Sequence, residues 1–127
     1  MAYALIQSDV YLWLINRTAL YGVAREMTIK FAIALIGSIT ETVAITGTEK
    51  IIGRKHSFCE RCNRMVDLKI ISSELRNNLH WLWEIRSGIH IYEIDYREYK
   101  KYRLREYNRA VSASKKLLKA LEIFHAK

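Results

Sequence analysis

Apolar residues along this chain recur at intervals of three and four rather than two, and the stretches that do so are long. The pattern predicts five helices and no strand. The first runs from about Ser8, offered as an N-cap, through "VYLWLINRTAL" towards Tyr21 and Gly22. The second, about Ala24 to Ile45, carries Phe31, Ile33, Leu35, Ile36, Ile39 and Val43 on nearly every side. A helix apolar all round belongs at the centre of a bundle or of a dimer. The stretch "TGTEKIIGRK", with Gly47 and Gly53, then reads as a loop or hinge. A shorter helix follows over about Ser57 to Leu68. A fourth opens at Ser72 or Ser73, with Glu74 in its first turn, where a carboxylate suits the helix dipole. The last, Tyr92 to about Phe124, is expected to be the longest and the most charged.

Composition agrees with long helices. The 127 residues contain no proline and five glycines, so little interrupts a helix interior. The length suits one domain, 1–127, able to close a hydrophobic core without staples. The expectation is an all-α bundle of about five helices. The opening "MAYALIQSDVYLWLINRTALYG" has neither the charged n-region nor the cleavage site of a secretory leader. The most apolar run, "FAIALIGSI", is nine residues long, short of the roughly 20 that span a bilayer. A cytoplasmic protein without membrane contact is expected.

The formal charge is +8 and the pI near 9.6, a balance that favours polyanionic partners. Much of the excess lies in the closing segment. There Tyr92, Tyr96 and Tyr99 share a helical face, continued by Tyr102, among Arg97, Lys100, Lys101, Arg103 and Arg105. Tyrosines among cations can stack on unpaired bases while the cations hold phosphates. The plainer reading is a tyrosine stripe packed on the bundle beneath a solvated charged face.

Chemistry is concentrated in "WLWEIRSGIH". Leu75, Leu79 and Trp83 (or Leu82) form an apolar stripe, and its extension by helical steps reaches Arg86 and then His90. Ser87 and Gly88 between them can end the helix and let His90 turn. Arginine can snorkel from a helix end and histidine can cap carbonyls, so the pair also has a purely structural reading. Glu84 falls roughly on the opposite side and is expected to face solvent or pair with a nearby base, without a catalytic role.

From "GRKHSFCERCNRMVDLKIISSEL" through "RNNLHWLWEIRSGIH" to "EYKKYRLREYNRAVSASKKLLKALE", the chain resembles the HEPN superfamily of small helical domains. The likeness is in the order of parts: a leucine and tryptophan helix, an arginine with a small polar residue, a histidine, then an acidic and tyrosine-rich entry to a long closing helix. An earlier apolar helix with an acidic residue, here Glu41, is also usual. It covers roughly residues 24 to 124. In the family four to six residues usually stand between the arginine and the histidine, with asparagine directly after the arginine. Here three residues intervene, and Ser87 takes the asparagine's place.

The resemblance implies a metal-independent endoribonuclease, a two-fold homodimer in which each copy contributes Arg86 and His90 to one cleft. The RNA's own 2′-hydroxyl would attack, so no cofactor is implied. Histidine titrates near neutrality and can move the proton; arginine grips phosphate oxygens with a fixed charge. Ser87, Tyr92, Tyr96, Arg97, Lys100 and Lys101 are the RNA-binding candidates. A toxin or defence role with an antitoxin-like protein partner fits this class. The alternative is a non-catalytic module of the same fold that binds RNA or scaffolds a partner.

"HSFCERC" places His56, Cys59 and Cys62 close together. A Cys-x-x-Cys pair is half of a zinc site, but no further cysteine supplies the other half, and a zinc-stabilised DNA-binding protein ranks third. Burial of small side chains on one helical face is the favoured reading, ahead of metal or disulfide.

Overall fold

The computed structural model describes residues 2–17, 22–88 and 102–127, and every regular element among them is an α-helix. In chain order these are α1 (Ala2–Arg17), α2 (Gly22–Ile52), α3 (Phe58–Asp67), α4 (Ser73–Ser87) and α5 (Leu104–Ala126). The all-helical bundle expected from the periodicity is what the chain forms.

α2 is the axis of the bundle. Its 31 residues touch all four other helices, whereas the backbone of α1 lies against α2 alone. Two apolar clusters sit along it. One gathers Ile29, Ala32, Ile33 and Ile36 of α2 with Ile15, Leu82, Tyr102, Tyr107 and Ala110. The other joins Ala44 and Ile52 to Phe58, Cys62, Met65, Leu75, Leu79, Leu117 and Leu121. Small residues let neighbours approach this axis. A Cβ on Gly47 would stand 2.8 Å from Leu121 Cδ1, and one on Gly37 would stand 3.1 Å from Arg86 Cβ. The buried hydroxyls of Thr40 and Thr48 cost little, because each donates to the carbonyl four residues back, at 2.7 and 2.6 Å.

Three boundaries differ from those read along the sequence. α1 starts at Ala2, so Ser8 is an interior residue rather than a cap. α2 continues through Gly47 to Ile52, and the break comes at Gly53. Gly47 is retained in the helix because packing against Leu121 outweighs its poor propensity. Gly53 has φ +84, the left-handed geometry that ends helices, and its N–H returns to Glu49 O. Finally, Tyr102 and Arg103 precede α5, so α2 is the longest described helix. By length and composition, residues Ala24–Ile52 of α2 are enough to cross a membrane. Within that stretch Lys30 reaches the Tyr102 ring (5.4 Å) and Glu41 pairs with Arg86, so these two charges are engaged by residues beyond α2.

α4 carries the serine cap its sequence announces, and α3 has one as well. Ser57 and Glu60 form a reciprocal capping box, and Ser72 Oγ accepts from Leu75 N at 3.1 Å. The α3 surface that turns inward holds Phe58, Arg61, Cys62 and Met65. Arg61 is wholly buried. It donates to Thr48 Oγ1 (2.7 Å) and Gly53 O (2.6 Å), tying α3 to the C-terminal end of α2, whose dipole favours a cation.

Candidate functional site

The site is built where the end of α4 crosses the middle of α2. Leu75, Leu79 and Leu82 are the buried stripe of α4, with Trp83 half-buried beside them. One further turn along, Arg86 leaves the core but not the neighbouring helix. Its Nη2 lies 3.2 Å from Glu41 Oε2, and its Nε donates to Ser38 Oγ at 3.3 Å. The guanidinium also stacks over the Trp83 ring, 4.9 Å from the centroid. Gly37 permits this, since the Arg86 stem passes directly over its Cα.

Arg86 is therefore held by three groups rather than trailing into solvent, yet its side chain remains 36% exposed. A freely snorkelling arginine would have no fixed orientation. This one presents a planar, permanently charged fork at a defined place on the surface, suited to a phosphate or a carboxylate. Ser87 follows as the last helical residue and is exposed. Gly88 caps α4 with its N–H on Glu84 O, which matches the expected helix end between the arginine and the histidine. Glu84 is exposed, as its place on the helix implies. His90, Tyr92, Tyr96, Arg97, Lys100 and Lys101 lie outside the described residues.

The closing helix divides its residues differently from the tyrosine and cation pattern. Tyr102 is a core residue, 5% exposed, with Lys30 over its ring, and Tyr107 is buried too. Neither ring is on the surface to stack on a base. The exposed face of α5 is cationic instead, with Arg105, Arg109, Lys115, Lys116 and Lys119. Arg109 stacks on Trp81 at 4.0 Å and donates to Asn78 Oδ1 at 3.0 Å. Together with Glu84, Ile85 and Glu106 these two line a cleft between α4 and α5. Helical geometry puts that cleft on the side of α4 away from Arg86.

Cys62 is fully buried and Cys59 half-buried, both as free thiols. Burial first, and then Cys59, push the Cys62 thiol up to about 12, against smaller opposing effects of Arg61 and Arg76. Burial also raises Cys59. Neither is a ready thiolate. His56 turns to Glu60 at 3.5 Å, and no cluster of three or more metal-ligating side chains occurs among the described residues.

Two partners of Arg86 went unread in the sequence. Ser38 and Gly37 sit in an apolar helix where nothing local marks them, and only the helix crossing gives them meaning. Arg61 had a local signal: it stands three residues after Phe58 and four before Met65, on the apolar stripe of α3. Comparison with protein-family models, with curated proteins and with solved structures finds nothing that matches this chain.

Proposed function

We propose that the chain is an HEPN-type domain acting on RNA, with Arg86 and His90 as its working pair. One observation carries the reading: Arg86 is held by Glu41, Ser38 and Trp83 while its side chain stays partly exposed. A cation fixed at the end of a helix is preorganised for a phosphate, and preorganised charge is what lowers a phosphoryl-transfer barrier. The cationic face of α5 adds the long-range attraction that any RNA partner requires.

In this reading two copies meet so that each contributes Arg86 and His90 to a shared cleft. One histidine takes the proton of the ribose 2′-hydroxyl as that oxygen bonds to phosphorus. The P–O5′ bond breaks, and the second histidine protonates the departing 5′-oxygen. The products are a 2′,3′-cyclic phosphate and a 5′-hydroxyl. Arg86 holds the non-bridging oxygens as charge gathers on them, and Ser87 stands within one residue to add a hydrogen bond. A toxin or defence role, with a protein that restrains the domain, belongs to the same proposal, as does a cytoplasmic location.

A second reading has its own observation. The ion pair with Glu41 already satisfies much of the Arg86 charge, which suits a helical module that binds RNA or a protein partner without cutting. RNA cleavage in EDTA separates the two. The wild-type chain, Arg86→Ala and His90→Ala are compared at equal helicity and equal mass in solution. Cleavage that survives the chelator, leaves cyclic-phosphate ends and is lost in both variants is the expected result. Equal background from all three, with RNA still bound, would overturn the nuclease and leave the binding module.

A further inference from the structure

The least explained surface of the molecule is α1. Among the described residues its backbone lies against α2 alone, its side chains share a groove with Tyr107 and Val111 of α5, and Ile15 is the single buried one. Yet the helix is apolar on its outer side as well. Tyr3, Ile6, Val10 and Trp13 are 88, 60, 49 and 58% exposed, and their spacing of three, four and three sets them in one stripe opposite Ile15. Ordering a helix costs conformational entropy that its own contacts must offset, and one buried isoleucine with a few half-covered neighbours offers little. An apolar stripe of this regularity is the seam by which helices pair.

We infer that α1 pairs with α1 of a second copy of this chain, antiparallel about a two-fold axis near Ser8. Three observations select that occupant. The first is self-complementarity: about this axis Tyr3 faces Trp13 of the other copy and Ile6 faces Val10, so a large residue meets a large one and a β-branched residue meets a β-branched one. The second is size. Four side chains so exposed present on the order of 500 Å² per copy, so two copies together reach the roughly 1,000 Å² that a specific interface must clear only if the stripe is covered along its whole length. The third is charge. The stripe is flanked by Gln7 and Asp9, and the single cation of α1 is Arg17 at its C-terminal end. A helix lying on an anionic lipid surface is flanked by cations instead.

The pairing is independent of the Arg86 site. α1 meets α2 beside Ile36 and Ile39, with Leu5, Ser8 and Leu12 lining the same groove, whereas Arg86 meets α2 at Gly37, Ser38 and Glu41. On the helical wheel those are opposite flanks of α2. Association through α1 leaves both Arg86 groups outward, free to engage RNA or a further copy.

Sedimentation equilibrium of the full chain tests the inference. The substitutions Ile6→Glu with Trp13→Glu should halve the mass of the assembly and weaken its association at least a hundredfold. Leu118→Glu, 48% exposed on α5, serves as control and should leave the mass unchanged. The register is tested by Ile6→Lys combined with Val10→Glu, which places opposite charges across the axis and should retain the association that Ile6→Glu combined with Val10→Glu abolishes. Because loss of pairing could loosen α1 itself, this charge-swapped pair keeps the test sensitive to pairing rather than to folding. Equal masses for wild type and stripe variants would overturn the inference. So would a monomeric wild type that binds phosphatidylcholine vesicles through the stripe, which would assign the face to lipid.

Discussion

Arg86 on α4 and Glu41 on α2 form an ion pair of 3.2 Å across the helix crossing, with Ser38 supplying a second tether at 3.3 Å. Both partners are partly exposed, 36 and 25% for their side chains, so the pair contributes orientation more than stability. Glu41→Gln is expected to cost no more than about 1 kcal/mol in urea unfolding. On the proposed function it should lower RNA cleavage by about tenfold, because a misaimed charge loses transition-state stabilisation. Arg86→Lys should behave similarly, keeping charge but losing the fork. A large fall in stability with unchanged activity would reverse the assignment of this pair from positioning to structure.

Gly37 tests the same crossing from below. An added methyl would stand 3.1 Å from Arg86 Cβ, an atom that cannot move without its helix. The gain in helix propensity from Gly37→Ala, about 1 kcal/mol, is expected to be cancelled by the displacement of α4. Thermal unfolding should therefore change little, while on the proposed function RNA binding or cleavage falls. Equal activity would mean that α4 tolerates the shift.

Among the described residues Arg61 is the most deeply buried charge, held by Thr48 Oγ1 and Gly53 O, with its Nε unpaired. Arg61→Ala should destabilise by about 3 kcal/mol or more, through the cavity and the loss of the clamp on the α2 terminus. Arg61→Met fills the volume and removes the cost of burying a charge, so it should recover more than half of that loss. Denaturant midpoints of the two variants decide the order, and a methionine variant as unstable as the alanine variant would contradict it.

α3 ends in a residue that is poor for its backbone. Lys69 sits at φ +59, while Lys69 N and Ile70 N return to Val66 O and Met65 O in the bond pattern of a glycine-terminated helix. Lys69→Gly relieves the left-handed strain and should raise stability by about 0.5–1 kcal/mol. A melting temperature that falls would show that the lysine side chain contributes more than its backbone costs.

Cys62 makes stability depend on pH at the alkaline end. Its thiol is pushed up to about 12 in the folded chain from an ordinary value near 9. Above pH 9 the unfolded chain loses this proton and the folded one does not, so the favourable contribution is whole below 9 and declines between 9 and 12. The slope attributable to this group is about 1.4 kcal/mol per pH unit. Cys62→Ala should flatten that part of the curve while lowering stability at neutral pH. Ellman's reagent at pH 8 should label the native thiol only at the rate of unfolding.

Periodicity, the absence of proline and the serine before α4 were enough to determine that this chain is helical and roughly where α3 and α4 begin, because helix formation and capping depend on neighbours within one turn. The same locality misled at Ser8 and Gly47. A serine resembles a cap and a glycine a hinge wherever they stand, and only the contact of Gly47 with Leu121 shows that the helix needed a small residue there. The stripe on α4 led along the chain to Arg86, yet what holds that guanidinium is Ser38 and Glu41, distant in sequence and brought close by the crossing of two helices. Likewise the outer apolar stripe of α1 is written in its spacing, but its exposure was decided by which flank α2 covers. Local rules determine the elements. The tertiary structure decides which polar groups meet, because pairing between helices depends on crossing positions that no single segment encodes.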